Sequence, residues 1–136
     1  MSAKVLLIDD ETDFLAVMVE RLTLRGLTVS AASSAKDGLA KAEENDYDVV
    51  VLDMAMPEMD GVEALRRLKE KKPDLDVILL TGRASVKQGI EAMKLGALDL
   101  FEKPANINML TAKIEAIQAK KNDGQSKVGD IVKKRR

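Results

Sequence analysis

Three unbroken four-residue apolar blocks, Val5–Ile8, Val49–Leu52 and Val77–Leu80, restrict this chain more than any other feature. A strand with one wet face alternates apolar and polar residues, so a continuous block belongs to a strand covered on both faces. Leu27–Ala31 and Leu98–Phe101 are two further runs of strand length. Between the runs lie stripes of helical period: Phe14, Met18 and Leu22; Ala35, Leu39 and Ala42; Val62, Leu65 and Leu68; Val86, Ile90 and Met93; and Ile107, Leu110, Ile114 and Ile117. Gly26 and Gly96 stand where helix C-termini need them, and Asn122-Asp123-Gly124 reads as the stop of the last helix. The alternation predicts an α/β protein, a (βα)5 doubly wound parallel sheet with right-handed crossovers. At 136 residues the chain holds a single domain, expected over 1–121, with 122–136 a basic, flexible tail.

Missing residue types narrow the chemistry. The sequence has no cysteine and no histidine, which removes disulfides, thiolate or imidazole metal sites and Cys/His or Ser-His-Asp catalysis. Any metal must sit on oxygen ligands, favouring Mg²⁺, Mn²⁺ or Ca²⁺. The N-terminus "MSAKVLLIDD" lacks a signal-peptide core, and no apolar run reaches membrane-spanning length, so a cytoplasmic protein without membrane partners is expected. Residues 120–136 carry seven basic and two acidic residues, leaving 15 basic and 21 acidic in 1–119. An acidic body is a poor nucleic-acid platform, so direct nucleic-acid binding is not expected, and the basic terminus reads as a solvated charge run.

In open α/β sheets ligands bind beyond the carboxyl ends of the strands. The polar residues there are Asp9-Asp10 after the first strand, Asp53 after the third, Thr81 after the fourth and Lys103 after the fifth. Singly, each has an ordinary explanation. Asp10, Thr12 or Asp13 could cap a helix, Asp53 could make an Asx turn, and Lys103 could extend to water. Together they put three carboxylates on one rim with a single lysine. Packed like charges raise pKa values and cost stability unless a cation intervenes. A divalent ion on oxygen ligands, a hydroxyl and an ammonium make a phosphoryl site.

"LLIDDE", "VVLDMAMPEMDG", "LLTG" and "FEKP", in this order, resemble the receiver domain of bacterial response regulators over about residues 3–121. The resemblance implies a flavodoxin-like sheet of strand order 2-1-3-4-5. It implies that Asp53 takes a phosphoryl group from a sensor histidine kinase or phosphotransfer protein. Mg²⁺ (or Mn²⁺) would be held by Asp10, Asp53 and the backbone carbonyl of Ala55, with Asp9 in the outer shell. Thr81 and Lys103 would engage the phosphoryl oxygens, and the bond before Pro104 would be cis. Pro57 and Gly61 fit the loop of the same motif. Ala55 and Arg83 stand where the lifetime of the acyl phosphate is controlled, Ala55 offering no side-chain amide to a lytic water and Arg83 long enough to cover the phosphate.

One position departs from the family. An aromatic residue is expected three residues before the lysine, but Leu100 stands there and Phe101 is next to it. Neighbours on a strand point to opposite faces, so Phe101 is expected in the core and Leu100 at the surface near the fourth helix. The relay from Thr81 through Leu100 to an output protein, on the face of the fourth helix, fifth strand and fifth helix, is the part this departure affects. The expected activity is that of a phosphoacceptor with slow self-dephosphorylation rather than an enzyme, in a stand-alone receiver. The alternatives are an Mg²⁺-dependent phosphatase with an aspartyl intermediate and a receiver fragment of a larger transcription regulator. The phosphatase would place its nucleophile in a "DxD" motif after the first strand, where this chain has "DDE".

Overall fold

A computed structural model describes residues 3–82 and 86–134, with side chains up to residue 121 apart from that of Val86. The elements alternate throughout: β1 (Lys4–Ile8), α1 (Thr12–Leu24), β2 (Thr28–Ala32), α2 (Ala35–Glu44), β3 (Val49–Asp53), α3 (Gly61–Lys71), β4 (Asp76–Thr81), α4 (Val86–Lys94), β5 (Asp99–Glu102) and α5 (Ile107–Lys134). The five strands form one sheet in the order β2-β1-β3-β4-β5, every pair parallel, as expected from the sequence.

The apolar blocks are continuous because each strand feeds two cores. Leu6, Ile8, Val50, Leu52, Val77 and Leu79 point into the layer under α2, α3 and α4. Val5, Leu7, Val49, Val51, Ile78 and Leu80 point the other way, toward Met18 and Leu22 of α1 and Leu110, Ile114 and Ile117 of α5. Fully burying a side chain of this size stabilises the fold by roughly 1.5–3 kcal/mol, and all twelve lie at or below 3% exposure. Gly38 of α2 lets that helix approach β1 closely: a Cβ there would meet Ile8 Cδ1 at 2.4 Å. Gly26 and Gly96 end α1 and α4 with φ of +90° and +103°, which glycine adopts without strain.

Two readings need correction. The α4 stripe does not face the core. Ile90 and Met93 are 52% and 47% exposed, while Ala92, Ala97 and half-buried Gly89 face the sheet. Small residues take the inner side of the helix, Gly89 lying against Leu100, and its large apolar residues are left outside. Secondly, α5 does not stop at Asn122-Asp123-Gly124 but runs on to Lys134. These residues disfavour a helix without forbidding it, an interior glycine costing only about 1 kcal/mol, and no proline follows. Near this point Lys121 Nζ donates to the Asp48 carbonyl at 2.6 Å, tying α5 to the start of β3. Among the described residues no helix is long and apolar enough to cross a membrane.

Candidate functional site

Parallel strands end together, so the polar residues after β1, β3, β4 and β5 converge at one rim. Asp53 is the last residue of β3 and Thr81 the last of β4, and each is 3% exposed. Asp9 directly follows β1 and is 2% exposed, whereas Asp10 reaches solvent. Ligand atoms of Asp9, Asp10 and Asp53 all lie within 4.8 Å of one another. The three expected acids are therefore brought together.

Local hydrogen bonds fix two of them. Asp9 Oδ1 accepts from the Glu11 amide at 2.8 Å, and Asp53 Oδ1 accepts from the Ala55 amide at 3.3 Å. The Asx-type contact considered for Asp53 is thus present, but it is long. Among the described residues, Asp9 Oδ2 has no partner besides the Lys103 ammonium, at 2.7 Å. A buried oxygen left in this state, beside two further carboxylates, suits a hard divalent cation.

Lys103 closes the rim from the fifth strand. Its amide donates to the Thr81 carbonyl at 2.7 Å, and the following bond to Pro104 is cis. Nζ lies 2.7 Å from Asp9, 2.8 Å from Glu11 and 3.7 Å from Asp53, and 4.5 Å from the centre of the Phe14 ring. Burial alone would lower the lysine's pKa. Hydrogen bonds to Asp9 and Glu11, with the nearby Asp53 charge, win and raise it. Asp53 moves in the opposite sense to an ordinary salt-bridged acid. Burial first, then the Asp9 charge, raise it to about 6, against the lowering effects of the Ala55 amide and Lys103.

Glu11 was not singled out from the sequence and Phe14 was read only as part of the first helix's apolar stripe, yet both lie against the lysine. Glu11 was visible as the third acid of "DDE", and Phe14 follows it by three residues, on one side of a helix start. Helix capping, the ordinary alternative for this segment, is not what these acids do. The N-cap of α1 is Glu11, with no side-chain cap at all. Arg83 lies outside the described residues.

The loop between β3 and α3 carries Ala55, which is exposed, and is closed by the Gly61 amide donating to the Met54 carbonyl at 2.8 Å. A Cβ on Gly61 would sit 2.4 Å from the Met54 Cα, a backbone atom that cannot swing aside. Gly61→Ala should therefore displace the loop, costing about 1–2 kcal/mol in urea unfolding. Calorimetric titration should show weakened Mg²⁺ binding as well. Unchanged values in both would show that Gly61 does not hold the loop.

Leu100 and Phe101 lie on opposite faces, as expected, but neither is simply surface or core. Both are half-buried, Leu100 packing with the α2–α4 layer and Phe101 with the α1/α5 layer. The β4–β5 pairing runs residue for residue from Ile78↔Asp99 to Thr81↔Glu102, so no bulge turns Phe101 toward α4.

Fold and site together define a doubly wound α/β protein with an acidic pocket, closed by a lysine, at the carboxyl end of its parallel strands. The chain belongs to the response regulator receiver domains of bacterial two-component systems: that family's model matches residues 5–115. It is 35% identical over 116 residues to the transcriptional regulatory protein PrrA of Mycobacterium tuberculosis, covering 85% of this chain and 50% of that protein. It is 33% identical over 111 residues to ZraR of Escherichia coli, covering 82% and 25%. The chain thus spans a quarter to a half of these relatives. Among solved structures, a receiver domain from Clostridium thermocellum is 38% identical with a TM-score of 0.83, over 88% of this chain and 97% of that one. A response regulator protein from Burkholderia pseudomallei, solved with a phosphorylated aspartic acid, a calcium ion and citrate, is 27% identical with a TM-score of 0.77, over 88% and 73%.

Proposed function

We propose that this receiver domain is a phosphoacceptor whose nucleophile is Asp53. The observation that carries the reading is the buried Asp53 carboxylate at the focus of Asp9, Asp10 and Lys103. The donor is a sensor histidine kinase or phosphotransfer protein. A carboxylate oxygen of Asp53 bonds to phosphorus as the donor's N–P bond breaks, and the released imidazole keeps the bonding pair and gains a proton. The product is an acyl phosphate. Lys103 offsets charge on the phosphoryl oxygens, and the Thr81 hydroxyl donates to one of them. Asp10, Asp53 and the Ala55 carbonyl would hold Mg²⁺, with Asp9 in its outer shell. When bound, the metal neutralises the oxygens of the transferred group. Ala55 and Arg83 are assigned to the lifetime of the adduct, which ends by slow self-hydrolysis rather than enzymatic turnover.

The output reading assigns the switch to Thr81 and Leu100. Leu79 pairs with Leu100, and Thr81 is two residues beyond Leu79, so Thr81 and Leu100 share the sheet face under α4. Leu100 also lies against that helix, its Cδ2 3.4 Å from where a Cβ on Gly89 would be. A movement of Thr81 toward phosphate would open space on the side Leu100 occupies. The exposed Ile90, Met93 and Leu98 then offer a partner protein an apolar surface along α4 and β5.

Intact mass after incubation with Mg²⁺ and acetyl phosphate tests the nucleophile. One phosphoryl adduct per chain is expected, base-labile and absent from Asp53→Asn. An adduct that persists in Asp53→Asn overturns the assignment. Sustained hydrolysis of general phosphomonoesters without an adduct would instead favour a phosphatase.

A further inference from the structure

Glutamate is an unusual residue at the start of α1. Helix N-caps favour short side chains, Ser, Thr, Asp or Asn, whose oxygen reaches back to the free amides. Glu11 occupies the N-cap and its side chain makes no such bond. Its carboxylate instead accepts from Lys103 Nζ at 2.8 Å, across 92 residues of sequence. Phe14, three residues later, lies under the same ammonium at 4.5 Å from its ring centre, a distance at which a cation is attracted to an aromatic face. The first turn of α1 thus presents both a counter-ion and a ring to Lys103.

These contacts place the lysine off its target. Nζ is closer to Asp9, at 2.7 Å, and to Glu11 than to Asp53, at 3.7 Å. Asp9 is buried and is one of the three clustered carboxylates, so its charge is shared with that cluster. The Glu11 side chain is 63% exposed and stands outside the cluster. Among the described residues, the ammonium is the partner of its oxygen. A phosphoryl group on Asp53 needs the same ammonium, which rests nearer to Glu11 than to Asp53.

We propose that Glu11 is the resting-state counter-ion of Lys103, a positioning residue that holds the ammonium toward α1 and competes with the phosphoryl group for it. The inference rests on Asp53 being the phosphoacceptor. Each transfer must draw Lys103 away from Glu11, so Glu11 weakens the phosphorylated state. The Phe14 ring supplies an uncharged surface along which the ammonium stays attracted as it changes partner.

Beryllofluoride, a phosphoryl mimic, titrated with Mg²⁺ into the full chain and followed by amide NMR, tests this. Glu11→Gln keeps the backbone amide that holds Asp9 and removes the charge. It should tighten beryllofluoride binding roughly three- to fivefold, the scale of a partly exposed ion pair. Asp13→Asn, at another exposed acid in the first turn of α1, should leave binding unchanged. The Lys103 ammonium signal of the metal-free protein should also differ between wild type and Glu11→Gln, and match between wild type and Asp13→Asn. Unchanged affinity in Glu11→Gln, equal tightening in Asp13→Asn, or an unaltered Lys103 signal each overturns the proposal. Failure of the wild type to bind beryllofluoride would instead remove the phosphoacceptor reading beneath it.

Discussion

Replacing Lys103 by methionine should cost the metal-free protein about 2–4 kcal/mol of folding stability near pH 7.5. Methionine keeps most of the aliphatic stem, so the change is chiefly the loss of one positive charge at a side chain only 13% exposed. Lys103 is the cation nearest Asp9 and Asp53 among the described residues, and both acids are almost completely buried. Removing one partner of a buried pair costs roughly 3–5 kcal/mol, because the other charge stays buried without compensation. The figure here is smaller because one partner, Glu11, is exposed and the acids can take up a proton. The pH dependence follows from Asp53 and not from the lysine. A lysine pKa raised on folding contributes stability below its unfolded value and loses it only as pH rises through the folded one, beyond the working range. Asp53, shifted to about 6, protonates as pH falls, so the deficit of Lys103→Met should shrink below pH 6. Urea unfolding of both proteins in EDTA measures this, and Mg²⁺ should recover part of the loss by binding only the folded state. Equal midpoints at pH 7.5 would mean that the carboxylates do not depend on the lysine.

The sheet was legible because burial on two faces leaves a mark that little else leaves: β1, β3 and β4 each contain an unbroken apolar block, and the structure divides each block between two cores. The three acids and the lysine were legible for a related reason, since parallel strands end at one rim and their terminal residues cannot avoid meeting. What failed depends on information that periodicity does not hold. In α4 the helical period of Val86, Ile90 and Met93 is real, but the direction it faces was set by the small residues Gly89, Ala92 and Ala97. In α5 the Asn-Asp-Gly stop weighs local preference only, and the helix continues through it. Glu11 went unnoticed because its partner is 92 residues away, and a helix-start acid has a sufficient local explanation until that partner is in view.

Asp53→Asn should make the metal-free protein more stable at pH 8, by about 1–3 kcal/mol, while leaving it unable to accept a phosphoryl group. The native carboxylate is held at a cost, since burial and the Asp9 charge raise its pKa from 3.8 to about 6. Each pKa unit corresponds to about 1.4 kcal/mol, and solvent access at the rim reduces the total below the full product. The sign follows from proton uptake. Between the unfolded value and about 6 the folded state binds more protons at Asp53 than the unfolded state does, so stability rises as pH falls through that window. Above it the full penalty is present, and below the unfolded value it is gone. Asparagine keeps the size and removes the charge, so its advantage should be complete at pH 8, smaller near pH 5 and absent by about pH 4. Urea midpoints of the two proteins in EDTA across that range decide the matter, because groups common to both cancel in the difference. A variant less stable than wild type at pH 8, or a difference independent of pH, would show that the carboxylate is not strained in place. Mg²⁺ supplies an independent check. Held by these carboxylates it would relieve the same repulsion in the wild type, so added Mg²⁺ should narrow the gap at pH 8 from the wild-type side. A residue that weakens the fold it completes is the expected signature of a group kept for chemistry rather than for packing.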